Sequence, residues 1–270
     1  MSFIKYISNN QEYIHLTDEY NPNIHQLPPC KGLVFDDNFN QPINNLPDIQ
    51  EICLNYQFNQ PIDFLPISLK TLTIKGRFNQ TLNNLPPYLE SLIIDGDFNQ
   101  PLINLPQGLK FLQIAGYFNN NIVLPEGIEC VCFSNTFNKP FNIPSSLKYL
   151  SLGRYFNQII TELPDNLELS CNMDINFLKN LRTDNLKKIY LKKFEFLNDF
   201  VKVNLSFIKD IKCDLELIIG DNIYKFKEYA LTFPFLHSFS LLLSLLQLIS
   251  HEVFSSSQLS PSLLPSSFQL

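Results

Sequence analysis

Over the first 165 residues, apolar and polar positions recur in units of 19 or 20 residues. Aliphatic residues stand nine, six and four positions before a phenylalanine, as with Leu69, Leu72 and Ile74 before Phe78, or Leu109, Leu112 and Ile114 before Phe118. The last two and the Phe are separated by even steps, so on extended backbone they point to one face. The unit reads Leu-x-x-Leu-x-Ile-x-Gly-x-Phe-Asn, which predicts a short strand with one buried face. A helix is disfavoured, because the apolar set alternates and a proline interrupts nearly every unit.

Phe-Asn recurs at Phe39, Phe58, Phe78, Phe98, Phe118, Phe137 and Phe156, at spacings of 19, 20, 20, 20, 19 and 19 residues. A weaker copy begins at Tyr20-Asn21, and Phe141-Asn142 lies outside the register. An aliphatic residue and proline follow each copy, from Leu27-Pro28 and Leu46-Pro47 to Leu163-Pro164. The one-residue length differences fall after the Phe, never between the leading aliphatic residue and its Phe. Slippage inside a strand would turn its core side chains into solvent, whereas a return leg absorbs an extra residue in a loop. A unit this short buries its apolar face only by stacking on its neighbours. The expected architecture is mainly β, a parallel β-solenoid with short strands and irregular return legs, its rungs about 4.8 Å apart, and some helix in the C-terminal region. The phenylalanines would form a spine, each following Asn would satisfy backbone groups of adjacent rungs, and Leu-Pro would open the return leg.

Positions seven, five, three and one before each Phe then form the open face. One stretch carries Lys75 and Arg77 one rung from Asp95 and Asp97, charges able to attract across the sheet. Towards the C-terminal end the same positions hold Phe111, Tyr117, Tyr149 and Tyr155, residue types favoured at binding hot spots. These eight are the candidate partner-binding residues. The plainer alternatives are a solvated face for the charges and a capping segment folded over the aromatics.

The organisation read from the chain is an N-terminal cap at 1–11, a repeat solenoid of about eight units at 12–165, degenerate repeats with a cap at 166–228, and a hydrophobic then Ser/Pro-rich tail at 229–270. Residues 230–249 carry no formal charge and are long enough to span a bilayer, although Pro234, His237, three serines and Gln247 oppose insertion. A net charge of −6 without basic blocks excludes a nucleic-acid footprint. The six cysteines lack the paired spacing of a zinc site and read as reduced; Cys130 and Cys132 would share one strand face without further ligands. His15, His25, His237 and His251 are scattered, and neither a phosphate loop nor a metalloprotease motif occurs. No catalytic residue, metal site or cofactor is expected. The start lacks a continuous apolar stretch, so the expectation is a cytoplasmic monomer that binds a protein partner.

The units FNQPINNLP, FNQPIDFLP, FNQTLNNLP and FNQPLINLP, with their leading Leu-x-x-Leu-x-Ile, closely resemble the FNIP repeat over about residues 12 to 165. The resemblance implies a leucine-rich-repeat-like solenoid with no catalytic residues, found chiefly in social amoebae and large amoeba-infecting viruses, hence host cytoplasm if viral. Thr81, Asn121 and Ile159 replace the proline three residues after the Phe, so that proline is dispensable to the fold. Some relatives carry an F-box in front, for which the dozen or so residues before the first repeat are too few. The function expected is a non-enzymatic interaction scaffold. The alternatives are a tail-anchored display protein, membrane-associated through residues 230–249, and a substrate-recognition subunit of a ubiquitin ligase lacking its own F-box.

Overall fold

Each leading aliphatic set forms a strand, and the strands stack in chain order. The computed structural model describes residues 3–8, 11–17, 27–44, 46–160, 162–172, 188–193, 214–219 and 222–226, with side chains at 12–17, 27–44, 46–160 and 162–171. All of them fall in one unit, Met1–Leu231; the other, Thr232–Leu270, lies outside the described residues. So do residues 230–249 and the Ser/Pro-rich tail.

The first two strands, β1 (Phe3–Ser8) and β2 (Gln11–Leu16), form an antiparallel pair. From β2 onward the pairing is parallel, one strand per rung: β3 (Gly32–Phe35), β4 (Glu51–Leu54), β5 (Thr71–Gly76), β6 (Ser91–Gly96), β7 (Phe111–Ile114), β8 (Cys130–Cys132), β9 (Tyr149–Ser151) and β10 (Glu168–Asn172). The run continues through β11 (Lys188–Lys193) and β12 (Asp214–Ile219), and β13 (Asn222–Phe226) closes it with a second antiparallel pair. The 13 strands make a single sheet in sequence order. The segment read as an N-terminal cap contains β1, paired back onto β2. Among the described residues there is no helix, and most of the C-terminal region in which some helix is expected lies outside them.

Register is kept from rung to rung. Leu72 pairs with Ile52 and Leu92, and Ile74 with Leu54 and Ile94, so the positions six and four before each Phe form two continuous buried columns. In backbone register, Ile189 and Leu191 pair with Leu169 and Cys171. A third column, nine before the Phe, runs through Ile49, Leu69, Leu89, Leu109, Ile128 and Leu147, and a fourth, four after it, through Ile43, Ile62, Leu82, Leu102 and Ile122. Leu82 and Ile122 remain buried although Thr81 and Asn121 stand before them instead of proline. Phe141 takes the same place one rung on, where its ring meets those of Phe133 and Phe137 edge-on, which accounts for the out-of-register Phe-Asn.

The phenylalanines of the repeat stack from Phe39 to Phe156, with ring centroids 5.7–6.2 Å apart and planes within 16° of parallel. Beside them the asparagines form a ladder. The side-chain Oδ1 of Asn40, Asn59, Asn79, Asn99, Asn119 and Asn138 each accepts the backbone N–H of the Asn one rung later, at 2.8–3.0 Å. Gln60 and Gln80 add a rail, each donating to the carbonyl of the Asn one rung earlier. The proline of Leu-Pro closes the loop at the opposite end. The carbonyls of Pro66, Pro86, Pro106, Pro125 and Pro144 accept the amide three residues on, the turn that starts the next strand. At Gly76 and Gly116, φ is +71° and +75°, and a Cβ would lie 2.3 Å from the Tyr56 carbonyl oxygen and 2.0 Å from that of Gly96. Glycine is required there both for the left-handed backbone and for the close approach.

Candidate functional site

With the core columns turned inward, the side chains left outside lie on three strips: the strand face, the corner where strands end, and the edge where they begin. The strands have only three to six residues, so the two positions nearest each Phe fall mostly in the turn and not on the sheet. This divides the candidate residues. Phe111 lies in β7 and Tyr149 in β9, both half-buried on the strand face with Cys130 between them in register. Tyr117 and Tyr155 lie in the turns beyond, 70% and 60% exposed. The first two begin strands and the last two stand in turns, so the four aromatics form two strips instead of one face.

Tyr149 is held by its setting. Burial, then the negative charge that Cys132 would carry, pushes its hydroxyl up to about 12. Cys130 also stays protonated, first through its hydrogen bond with Cys132 and then through burial. Burial raises the Cys53 thiol as well. These groups present neutral thiols and a neutral phenol. Among the described residues no set of three or more His, Cys, Asp or Glu is placed to hold a metal ion. Among them, too, no helix is long and apolar enough to cross a membrane.

The charged candidates keep their register without closing ion pairs. Strand pairing sets Lys75 beside Asp95, both exposed, and Arg77 and Asp97 follow in the adjoining turns. Arg77 instead reaches back one rung, donating to Gln57 Oε1 at 3.5 Å and lying 5.5 Å over the Tyr56 ring. Arg154 lies at the same distance over Tyr155. Lys75 and Asp95 thus stand side by side as expected, while Arg77 makes its contacts along the corner. The open face also narrows towards its C-terminal end. Ser134 and Gly153, three before their Phe, are buried, because β8 and β9 stop after three residues and the chain turns in sooner. Ser134 Oγ lies 3.0 Å from Thr136 Oγ1 and donates to the Phe118 carbonyl at 3.4 Å.

The third strip escaped the sequence reading. Eight positions before each Phe stand Lys31, Gln50, Lys70, Glu90, Lys110, Glu129 and Lys148, an alternation with a two-rung period. Lys70 pairs with Glu90, and Glu129 lies between Lys110 at 3.7 Å and Lys148 at 2.6 Å. Hydrogen bonding from Lys148, then its charge, holds the Glu129 carboxyl below the usual carboxylate range. Lys31 joins Glu51 at 2.6 Å, and the Tyr13 hydroxyl donates to the same carboxylate. Two depressions follow this edge. One, of about 420 Å³, is bounded by Glu12, Lys31, Asp48 and Gln50. The other, of about 490 Å³, is bounded by Ile67, Lys70, Tyr88, Glu90, Gly108 and Lys110.

The FNIP Repeat family model matches residues 78–117, 118–155 and 137–169. No curated protein matches the chain. Among solved structures it is similar to one titled "The crystal structure of CroV588 a novel circular LRR protein structure", with 25% identity, 70% of this chain and 40% of that one covered, and a TM-score of 0.33. The chain thus corresponds to 40% of that protein's length.

Proposed function

We infer that this FNIP-repeat-containing chain is a non-enzymatic scaffold that captures a protein partner through its outward strips, the aromatic positions foremost. The observation that carries the reading is the contrast between sides. Inward columns keep apolar side chains from rung to rung, whereas positions on the strand face and at the corner change freely and leave Tyr117 and Tyr155 standing in solvent. Large exposed aromatics beside a rigid framework supply contact area at low entropic cost, which suits recognition. Phe111 and Tyr149 add a second apolar strip, and the Lys75, Arg77, Asp95 and Asp97 stretch gives a partner charges to align with. The reading places the chain in the cytoplasm, with no substrate and no cofactor.

Affinity capture with the full chain and with Tyr117→Ser/Tyr155→Ser tests it. A partner retained by the natural chain and lost from the double variant, at equal melting temperatures, supports the assignment; equal retention by both refutes it. The rival reading, a membrane-tethered display protein, is favoured by the uncharged run 230–249 alone. Membrane pelleting of the full chain against one stopped at Tyr229 decides it, and equal solubility removes the anchor.

A further inference from the structure

The outward strips of the proposed partner site leave one charged surface unused, the edge where the strands begin. There Lys70, Glu90, Lys110 and Glu129 follow one another at single-rung steps, with Lys148 next in line. These side chains are 40–72% exposed, so their internal pairing leaves much of each charge facing water. Beside them two large apolar side chains stand out, Ile67 at 62% and Tyr88 at 65% exposure. Next to Tyr88 the edge is cut away at Gly108, which helps bound the depression of about 490 Å³.

An alternating column is complementary to its own reverse. A second copy laid on it with the rungs running the same way, about a two-fold axis parallel to the column, sets Lys against Lys and Glu against Glu. Turned end for end about a two-fold axis that lies in the interface and crosses between the Glu90 and Lys110 rungs, it sets Glu90 against Lys110 of the second copy. Lys70 then meets Glu129, and the symmetry repeats both contacts, so every charge near the axis faces its opposite. The rung spacing is the same in both copies, which keeps the match in step along the column. The same operation brings Tyr88 of one copy over Gly108 of the other, beside the depression that both residues bound. A two-fold contact needs a self-complementary patch, and this edge provides one in charge.

We propose that the strand-start edge is a homodimer interface, formed by antiparallel apposition of two copies of this chain. Phe111 and Tyr149 adjoin this edge, but Tyr117 and Tyr155, the residues replaced in the capture experiment, lie in turns at the opposite corner, so the two readings fail separately.

The test is a charge exchange between two full-length variants, Glu90→Lys and Lys110→Glu, followed by sedimentation at tens of micromolar protein with folding checked by thermal melting. The natural chain sediments as a dimer that weakens as salt rises. Either variant alone places like charges in contact twice and dissociates roughly a hundredfold more readily. Mixed, the two variants form a heterodimer, because Lys at 90 in one copy then meets Glu at 110 in the other while the native Lys110 and Glu90 meet at the second contact. Should a reversal unfold the chain, Glu90→Gln and Lys110→Gln replace it, each weakening association by roughly tenfold. A natural chain that stays monomeric, variants that remain dimeric alone, or a mixture that stays monomeric each overturns the proposal; the first restores the monomer expected from the sequence.

Discussion

The two ends of the same strands are bound by ladders of equal spacing and opposite character. At the corner where strands end, an Asn side chain in each rung accepts the next rung's backbone N–H, over a spine of phenylalanines no more than 7% exposed. At the edge where strands begin, Lys and Glu pair across rungs in water. Each of these bonds ties a side chain to the backbone of the next rung and contributes about 0.5–1.5 kcal/mol, so the Asn column admits little variation. An exposed ion pair contributes only about 0–1 kcal/mol, so the Lys/Glu column is free to serve something other than folding. Periodicity alone thus does not separate framework from surface. What separates them is whether the repeated side chain binds the backbone of the next rung.

The contrast can be broken at either end. Removing a ring from the spine has the largest effect: Phe98→Ala should lower unfolding free energy by about 3–5 kcal/mol, read by chemical denaturation. Asn99→Ala leaves the Asn119 N–H without its side-chain acceptor and should cost about 0.5–1.5 kcal/mol in the same assay. The phenol of Tyr149 makes a pH-dependent contribution. Its folded value near 12 exceeds the ordinary tyrosine value near 10, so folding disfavours the anion. That stabilisation is fully present below pH 10 and is lost as pH rises towards 12, by at most about 2–3 kcal/mol. In Tyr149→Phe this part of the alkaline decline should vanish. At the strand-start edge Lys70→Ala should change stability by less than about 1 kcal/mol, and a larger loss would erase the distinction between the ladders. Smallest of all, Tyr117→Ser and Tyr155→Ser should each stay within about 0.5 kcal/mol of the natural chain while capture of a partner is lost.

What the sequence made readable was whatever one rung does the same way as the next. The inward columns, the Phe spine and the Asn ladder all follow from single side chains with a fixed task in every repeat, as Leu72, Phe78 and Asn79 show. Features depending on more than one rung stayed hidden. The Lys/Glu alternation repeats every second rung, so a single-unit template records position eight before the Phe as merely polar. Strand length is another such feature. Tyr117 and Phe111 share the parity of an outward face, yet β7 ends at Ile114 and the chain turns before Tyr117, dividing a single expected cluster into two strips. Burial of Ser134 and Gly153 follows from the same early turn in β8 and β9. The antiparallel closure of the sheet at β1 and β13 carries no repeat signature, because each strand there folds back on its neighbour instead of extending the series.

In-register stacking is tested most directly by amide exchange at single-residue resolution in Asn79→Ala. The Asn99 N–H, whose acceptor is the Asn79 side chain at 2.9 Å, should lose its protection, while the Asn119 N–H, held by Asn99 one rung further, keeps most of its own. Unchanged protection at Asn99, or an equal loss at both residues, would contradict rungs linked one to the next through these side chains.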